Sequence, residues 1–322
     1  MDLSVIIVSF NTRELLLRCL ASVFGTLERA LSTGPLSVEN RAISRGYEVI
    51  VVDNGSRDGS GAAVAHHYPQ ARLTENEFNL GFAAANNQGM QVSRGRYLLF
   101  LNPDTEVLEN SIVELVRFMN RHPRAGMVTG GLVDARGRFQ HSAFKFPTLW
   151  NTFLDFFPIS SRVLHSGLNG RYPVGSYTRP FEIDHPLGAC MLVRRDVAQR
   201  VGLLSEDYFM YCEEVDWCIR IKRDGWQVYC QPQAQIVHHG GASTRQVADR
   251  MFVELHRSRL TLFRKYYNPF FQVAARAITG VGLVWEYGRW VQRYLMGEIP
   301  RNRFEGRRRA CLQVAGLLLG RG

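Results

Sequence analysis

The segment Tyr208-Phe209-Met210-Tyr211-Cys212-Glu213-Glu214-Val215-Asp216-Trp217 sets three carboxylates close together among aromatic side chains. Acids in the first turn of a helix complement its dipole and stay solvated, which suits Glu213 and Asp216. Glu214 can instead enter a pocket, where desolvation and a neighbouring carboxylate raise its pKa toward that of a useful general base. Two further acids directly follow apolar runs. Asp53 opens the polar turn Asp53-Asn54-Gly55-Ser56-Arg57-Asp58-Gly59-Ser60, and Asp104 closes Leu101-Asn102-Pro103-Asp104. A carboxylate at the end of a buried strand can accept the N–H of a base or a ribose hydroxyl, the chemistry expected of Asp53. Asp104 can hold a divalent cation on phosphate oxygens. Asp58 and Ser60 read as helix caps. Residues 79–89, Asn-Leu-Gly-Phe-Ala-Ala-Ala-Asn-Asn-Gln-Gly, are a small-residue helix start. Such a start lets a diphosphate approach the backbone, and the same alanines equally serve close helix packing. His238 and His239 follow another apolar run, where one histidine can complete a metal site with Asp104 or simply be satisfied by the turn.

These groups act together only on a scaffold that gathers them. The runs 5–10 and 48–53 read as strands buried on both faces, 5–10 being continuous and rich in β-branched residues, with 72–74 as a weak third strand and the apolar run 97–101 as a fourth. Helical spacing begins at Leu15 and Leu16, and helices fit at 59–67, 83–93 and 110–121. Strand, helix, strand, helix predicts an α/β fold with a mostly parallel sheet and ligands at the carboxyl ends of its strands. Residues 28–46 read as a surface insertion, and the aromatic, proline-containing stretch 135–185 as a binding loop or lid. Strands return at 190–193 and 227–230, flanking a helix at 213–224.

The chain of 322 residues is 46% hydrophobic and 21% charged, which excludes collagen-like, disordered and small disulfide-stapled classes. Its six cysteines form no CxxC pair, and no basic stretch followed by an apolar core opens the chain. A reduced, cytoplasmic protein is expected. The net charge of +10 is confined to one end: residues 1–244 carry 24 basic and 24 acidic residues, and 245–322 carry 15 and 5. Tyr287, Trp290, Val291, Tyr294 and Leu295 recur at helical spacing there, with Arg289 and Arg293 on another face. The apolar stretch 277–285 falls far short of the ~20 residues that span a bilayer. A basic amphipathic helix of this kind lies on an anionic membrane or packs on a partner. Arg301, Arg303, Arg307, Arg308 and Arg309 can meet lipid headgroups or nucleic-acid phosphates, of which lipid is preferred.

The ordered motifs from Ser4 through Asp53-Asn54-Gly55-Ser56, Asn79-Leu80-Gly81-Phe82, Asn102-Pro103-Asp104, Glu213-Glu214-Val215-Asp216 and His238-His239-Gly240-Gly241 resemble those of family 2 inverting glycosyltransferases of the GT-A fold. The resemblance covers about residues 3–265. It is closest to the rhamnosyltransferase-like branch that builds O-antigen and other bacterial surface polysaccharides. It implies that Asp53 binds the nucleobase beside Ser9, Asn11, Asn54 and Ser56. Asn79, Gly81, Phe82, Asn86 and Asn102 would line the nucleotide-sugar pocket. Asn102-Pro103-Asp104 stands where the family has its DxD element; the first acid is an amide here, leaving Asp104 as the main carboxylate on Mg or Mn. Glu214 occupies the place of the catalytic base, usually aspartate in the family. His238 matches the metal-coordinating histidine, with His239 as its rival. The turn 185–190, which precedes a strand, either shapes the acceptor side or is an ordinary turn.

The implied reaction moves a sugar from a nucleoside diphosphate sugar, dTDP-rhamnose or similar, to a hydroxyl of a lipid-linked or growing glycan. It would be a metal-assisted single displacement. The expected organisation is a catalytic domain over 1–245, with a nucleotide half to about 105 and an acceptor half after it, then a basic helical tail over 246–322. This places the enzyme on the inner face of the cell membrane, with a homo-oligomer possible and no nucleic acid as partner. A catalytically inactive nucleotide-sugar-binding module and a nucleic-acid-binding protein are the two rival functions. A dehydrogenase would want GxGxxG after the first strand, and residues 9–14 contain no glycine.

Overall fold

The structure, a computed structural model, describes residues 1–32, 42–157, 159–164, 166–241 and 247–321. Residues 33–41 of the expected insertion 28–46, residues 242–244 that follow His-His-Gly-Gly, and the domain boundary near 245 lie outside the described residues, while 28–32 continue a helix rather than opening an insertion.

The strands are β1 (Leu3–Ser9), β2 (Tyr47–Asp53), β3 (Arg72–Glu75), β4 (Tyr97–Leu101), β5 (Thr105–Val107), β6 (Ala125–Val133), β7 (Phe139–Gln140), β8 (Ala143–Phe144), β9 (Phe181–Glu182), β10 (His185–Pro186), β11 (Cys190–Arg194) and β12 (Gln227–His238). The helices are α1 (Arg13–Ser32), α2 (Ser60–His67), α3 (Phe82–Val92), α4 (Ser111–Arg121), α5 (Leu149–Phe156), α6 (Ser161–Leu164), α7 (Arg195–Val201), α8 (Glu213–Arg223), α9 (Ala248–Tyr266), α10 (Pro269–Leu295) and α11 (Arg301–Leu318).

One large sheet runs in the order β3-β2-β1-β4-β11-β6-β12-β5. β1 pairs in parallel with β2 and β4, β2 with β3, and β6 with β12. β11 is inserted antiparallel between β4 and β6, and β5 closes the far edge antiparallel. The fold is thus α/β with a mixed, mostly parallel sheet. β1 and β4 are buried along their whole length, as strands with both faces covered must be. α1 and α4 pack Leu16, Leu20, Ile112 and Val116 against Val5, Ile7 and Leu99. On α3, Gly89 lies so close to Ile6 that a Cβ there would stand 2.5 Å from its Cγ2.

Strand β6 has no counterpart in the sequence reading, because glycines at 126, 130 and 131 dilute its pattern. The reason for them lies in β12, whose register against β6 shifts between Gln231 and Gln235, around Pro232. A Cβ on Gly131 would stand 2.8 Å from the Pro232 carbonyl, and one on Gly130 would strike that of Ala234. The bulge also makes β12 far longer than the expected 227–230. The stretch 135–185 is less irregular than expected. It contains α5, whose Thr148 and Asn151 form a capping box, and the short strands β7 to β10. Asp58 accepts the N–H groups that open two helices, Arg13 at 2.9 Å and Ser60 at 3.1 Å, whereas Ser60 is not a cap: the N-cap of α2 is Gly59, without a side-chain bond, and the Ser60 hydroxyl donates to Asp58.

The chain forms two compact units. The first holds the sheet and comprises Met1–Phe144, Tyr172–Glu206 and Glu213–Ser243. The second comprises Lys145–Arg171, Asp207–Cys212 and Thr244–Gly322, so it joins the C-terminal helices to α5 and α6. Its own small core contains Phe156, Val253, Leu283, Ala310, Cys311 and Val314.

Candidate functional site

All candidate site residues belong to the sheet-bearing unit. β1 and β2 end in register at Ser9 and Asp53, while β4 ends beside Ile7 on the other flank of β1. Strand order therefore reverses at β1, and the carboxyl edges there open the crevice where α/β sheets bind ligands. The loops beyond the edges are stitched together. Asn11, at φ 51°, donates its backbone N–H to Ser56 Oγ at 2.9 Å, and its Oδ1 accepts the Arg57 N–H at 2.8 Å. Ser9 Oγ lies 3.0 Å from Thr12 Oγ1. Asp53 is buried, with Oδ1 accepting the Ser56 N–H at 3.2 Å.

Asn54 is engaged at both ends of its amide. Its Nδ2 donates to Asn79 Oδ1 at 3.0 Å and to the Gly81 carbonyl at 3.1 Å, and its Oδ1 accepts from Asn76 Nδ2 and the Leu80 N–H. Asn54 thus holds the loop that precedes α3. Asn79 Oδ1 also accepts the Gly81 N–H at 2.9 Å, and Gly81 caps α3 at φ 92°, a conformation that suits glycine. Phe82 starts the helix, and buried Asn86 donates back to the Phe82 carbonyl at 2.9 Å.

After β4, the Asn102 N–H donates to the Ala189 carbonyl at 3.0 Å, while its side-chain Oδ1 is inaccessible and has no partner among the described residues. Two residues on, buried Asp104 points Oδ1 at His238 Nε2 across 3.6 Å, too far for a hydrogen bond. His238 is turned by Gln140, whose Oε1 lies 3.0 Å from its Nδ1. With Nδ1 donating to Gln140, Nε2 keeps its lone pair on the Asp104 side. Burial lowers the His238 pKa, opposed by the Asp104 charge and aided by His239, so the ring stays neutral near pH 7. His239 differs: its Nε2 lies 2.7 Å from Glu106 Oε1, and only its backbone N–H reaches the Asp104 carbonyl. Of the two histidines, His238 is thus the one beside Asp104. An orphaned amide oxygen, a carboxylate and a neutral imidazole are a donor set that suits Mg²⁺ or Mn²⁺. Among the described residues no three His, Cys, Asp or Glu side chains cluster, so a cation here would need phosphate oxygens to complete its shell.

α8 carries the acids and is fixed by its neighbours. Trp217 donates its indole N–H to the Gly202 carbonyl at 2.9 Å and meets Phe100 edge-on at 5.5 Å. Asp216 pairs with Arg220 at 2.7 Å, and Arg220 also holds the carbonyls of Val201 and Leu203. The expectation of a solvated first turn is overturned for both outer acids: Glu213 is 5% exposed and Asp216 1%. Asp216 is neutralised by its arginine, whereas Glu213 Oε2 and Glu214 Oε2 have no partner among the described residues. Burial raises the Glu214 carboxyl to about 7, against the pull of the Glu214 and Val215 N–H groups. Burial, and then the Glu214 charge, push Glu213 well above the ordinary carboxylate range. Gly188 leaves Glu214 room on one side, since a Cβ there would lie 3.9 Å from Glu214 Cγ. In the same short loop the Ala189 carbonyl accepts the Asn102 N–H. Neither Gln140 nor Gly188 was singled out by spacing, and only the position of the turn 185–190 before a strand hinted at the second.

Residues 4–202 match the profile of Glycosyl transferase family 2. The chain belongs to this family. A relative from Mycobacterium tuberculosis, N-acetylglucosaminyl-diphospho-decaprenol L-rhamnosyltransferase, is 30% identical over 239 residues, which is 68% of this chain and 73% of that protein. The rhamnosyltransferase WbbL of Escherichia coli is 27% identical over 158 residues, 48% of this chain and 57% of WbbL. Among solved structures, the mannosyltransferase PcManGT from Pyrobaculum calidifontis, in complex with GDP-Man and Mn²⁺, superposes with a TM-score of 0.57. The match covers 99% of this chain and 87% of PcManGT at 17% identity, a likeness of fold. The family 2 glycosyltransferase described here thus has the expected GT-A architecture with C-terminal helices added.

Proposed function

We propose that this glycosyltransferase is an inverting rhamnosyltransferase. It would take its sugar from dTDP-rhamnose or a similar nucleoside diphosphate sugar and place it on a hydroxyl of a lipid-linked or growing glycan. The observation that supports this reading is the buried Glu214 carboxyl, raised to about 7 and with an oxygen that has no partner among the described residues, in the same unit as the facing pair Asp104 and His238. The activities of the M. tuberculosis and E. coli relatives favour rhamnose, and the former favours an N-acetylglucosaminyl diphospho-lipid as acceptor.

The donor's base would lie along Asp53 and Ser9, with its diphosphate toward the start of α3 and Asp104. Asn102, Asp104 and His238 would hold a divalent cation, which when bound neutralises the diphosphate as the sugar–phosphate bond weakens. Glu214 takes the proton of the acceptor hydroxyl. The oxygen then attacks the anomeric carbon from the face opposite the leaving nucleoside diphosphate, so one base suffices and no enzyme nucleophile is needed. Gln140 keeps His238 in the orientation that faces Asp104.

The test is transfer from dTDP-rhamnose to a synthetic N-acetylglucosaminyl diphospho-lipid, with the product's anomeric configuration read by NMR. An inverted rhamnoside supports the proposal. Retention of configuration contradicts it, and transfer from only another donor moves the specificity elsewhere.

A further inference from the structure

Within the second unit, α10 has two apolar faces. One is packed: Ala275, Thr279, Gly282 and Leu283 are buried, and Leu283 joins the core with Val253 and Val314. Gly282 is seated on the Phe156 ring, where a Cβ would overlap it. The other face is open. At 100° per residue, Phe270, Val273, Val281, Val284 and Leu295 fall on one stripe, exposed by 79, 67, 63, 74 and 78%. Ala277 and Gly288 fill the spaces between them, and Trp285, 54% exposed, borders the stripe. Gln292 is the single polar residue along it. A surface helix of a globular protein places its charges on such a face. Here exposed Arg276 and Arg289 stand at its flanks instead, while exposed Arg293 lies farther round the helix and pairs with Glu298.

We propose that this face of α10 lies in the interface of an anionic lipid bilayer. The helix of 27 residues would rest in the plane of the surface over about 40 Å, with the valines, Phe270 and Leu295 at the acyl boundary and the arginines at the lipid phosphates. No helix among the described residues is long and apolar enough to cross a membrane, which leaves a surface orientation for a face this apolar. Charge selects the partner. Residues 245–322 carry 15 basic and 5 acidic residues, so a second copy on this face would bring like charges together, whereas lipid phosphates neutralise them. The inference stands apart from the choice of sugar and acceptor.

The experiment is flotation of the full chain with phosphatidylcholine vesicles, with and without phosphatidylglycerol at about one lipid in three, in about 0.1 M salt. The protein is expected to float with the anionic vesicles and to be released as salt rises. Val281→Glu/Val284→Glu changes two exposed positions and should weaken vesicle binding by about tenfold or more. Nucleotide binding and the melting curve of the variant serve as the check on its fold. Quenching of tryptophan fluorescence by brominated lipids, lost in Trp285→Phe, reads the same contact without a charge in the stripe. Absence of wild-type binding to anionic vesicles would overturn the proposal. So would a double variant that floats as well as wild type, or a dimer in sedimentation velocity that the double variant dissolves while vesicle binding is unchanged.

Discussion

Glu214→Gln keeps the size of the side chain and removes its ability to take a proton. Burial holds the Glu214 carboxyl at about 7 in place of the ordinary 4.5, so its ionised fraction changes across the pH range in which the protein is assayed. At pH 6 roughly one-tenth of the molecules carry the base form, at pH 7 about half, and at pH 8 about nine-tenths. The rate of transfer at saturating donor should follow this curve, rising about tenfold per unit below pH 6 and levelling above pH 8. General-base catalysis contributes about 10²–10⁴-fold, so Glu214→Gln should lower kcat by that factor and flatten the profile. Nucleoside diphosphate affinity should stay within about twofold, because the base acts on the acceptor hydroxyl. The assay is release of nucleoside diphosphate with acceptor present, from pH 5.5 to 9, alongside calorimetric nucleotide binding. A variant with a large fraction of wild-type activity, or one whose profile still rises around pH 7, would refute the assignment.

Stability should depend on the same acids. The folded-state pKa values of Glu213 and Glu214 are raised, so the stability they confer is full below about 4.5 and is lost as pH rises through the folded values; for Glu214, from 4.5 to about 7, this is about 3 kcal/mol. The urea midpoint should therefore fall from pH 5 to pH 8, and Glu213→Gln should raise it at pH 8; an unchanged midpoint would count against a buried acid at 213. Gln140→Ala leaves His238 free to turn, and the metal concentration for half-maximal activity should rise about tenfold or more with nucleobase contacts intact; no change would remove Gln140 as the positioning residue. Gly131→Ala forces a Cβ toward the Pro232 carbonyl and should cost roughly 1–3 kcal/mol in thermal or urea unfolding; a neutral result would mean that the β12 bulge yields easily.

What the sequence shows and what it hides divide along the reach of the interactions. β1, β2 and β4 were legible because strands covered on both faces must be continuously apolar, and the polar residues that follow them mark the sheet's carboxyl edge. β6 was not, because its glycines answer to a bulge at Pro232, about a hundred residues away in the chain. Glu214 stood out as an acid among aromatics. That Glu213 and Asp216 are buried beside it depends on Trp217, Arg220 and the 201–203 turn, which no local pattern reveals. The choice between His238 and His239 follows from long-range side-chain partners, since His238 faces Asp104 and Gln140 while His239, just beyond the end of β12, meets Glu106. Gln140 sits in a stretch with no period, and its role appears only when β7 pairs with β6 beside β12.

The central claim is a nucleoside diphosphate pocket at Asp53 whose diphosphate end depends on Asp104. Calorimetric titration of dTDP, UDP and GDP, each with and without Mn²⁺ or Mg²⁺, into the wild-type protein and into Asp104→Asn tests it most directly. One nucleotide is expected to bind in a metal-dependent manner, with dTDP favoured, and Asp104→Asn is expected to raise the metal requirement. Binding of none of the three, or binding indifferent to both the metal and Asp104, would contradict it.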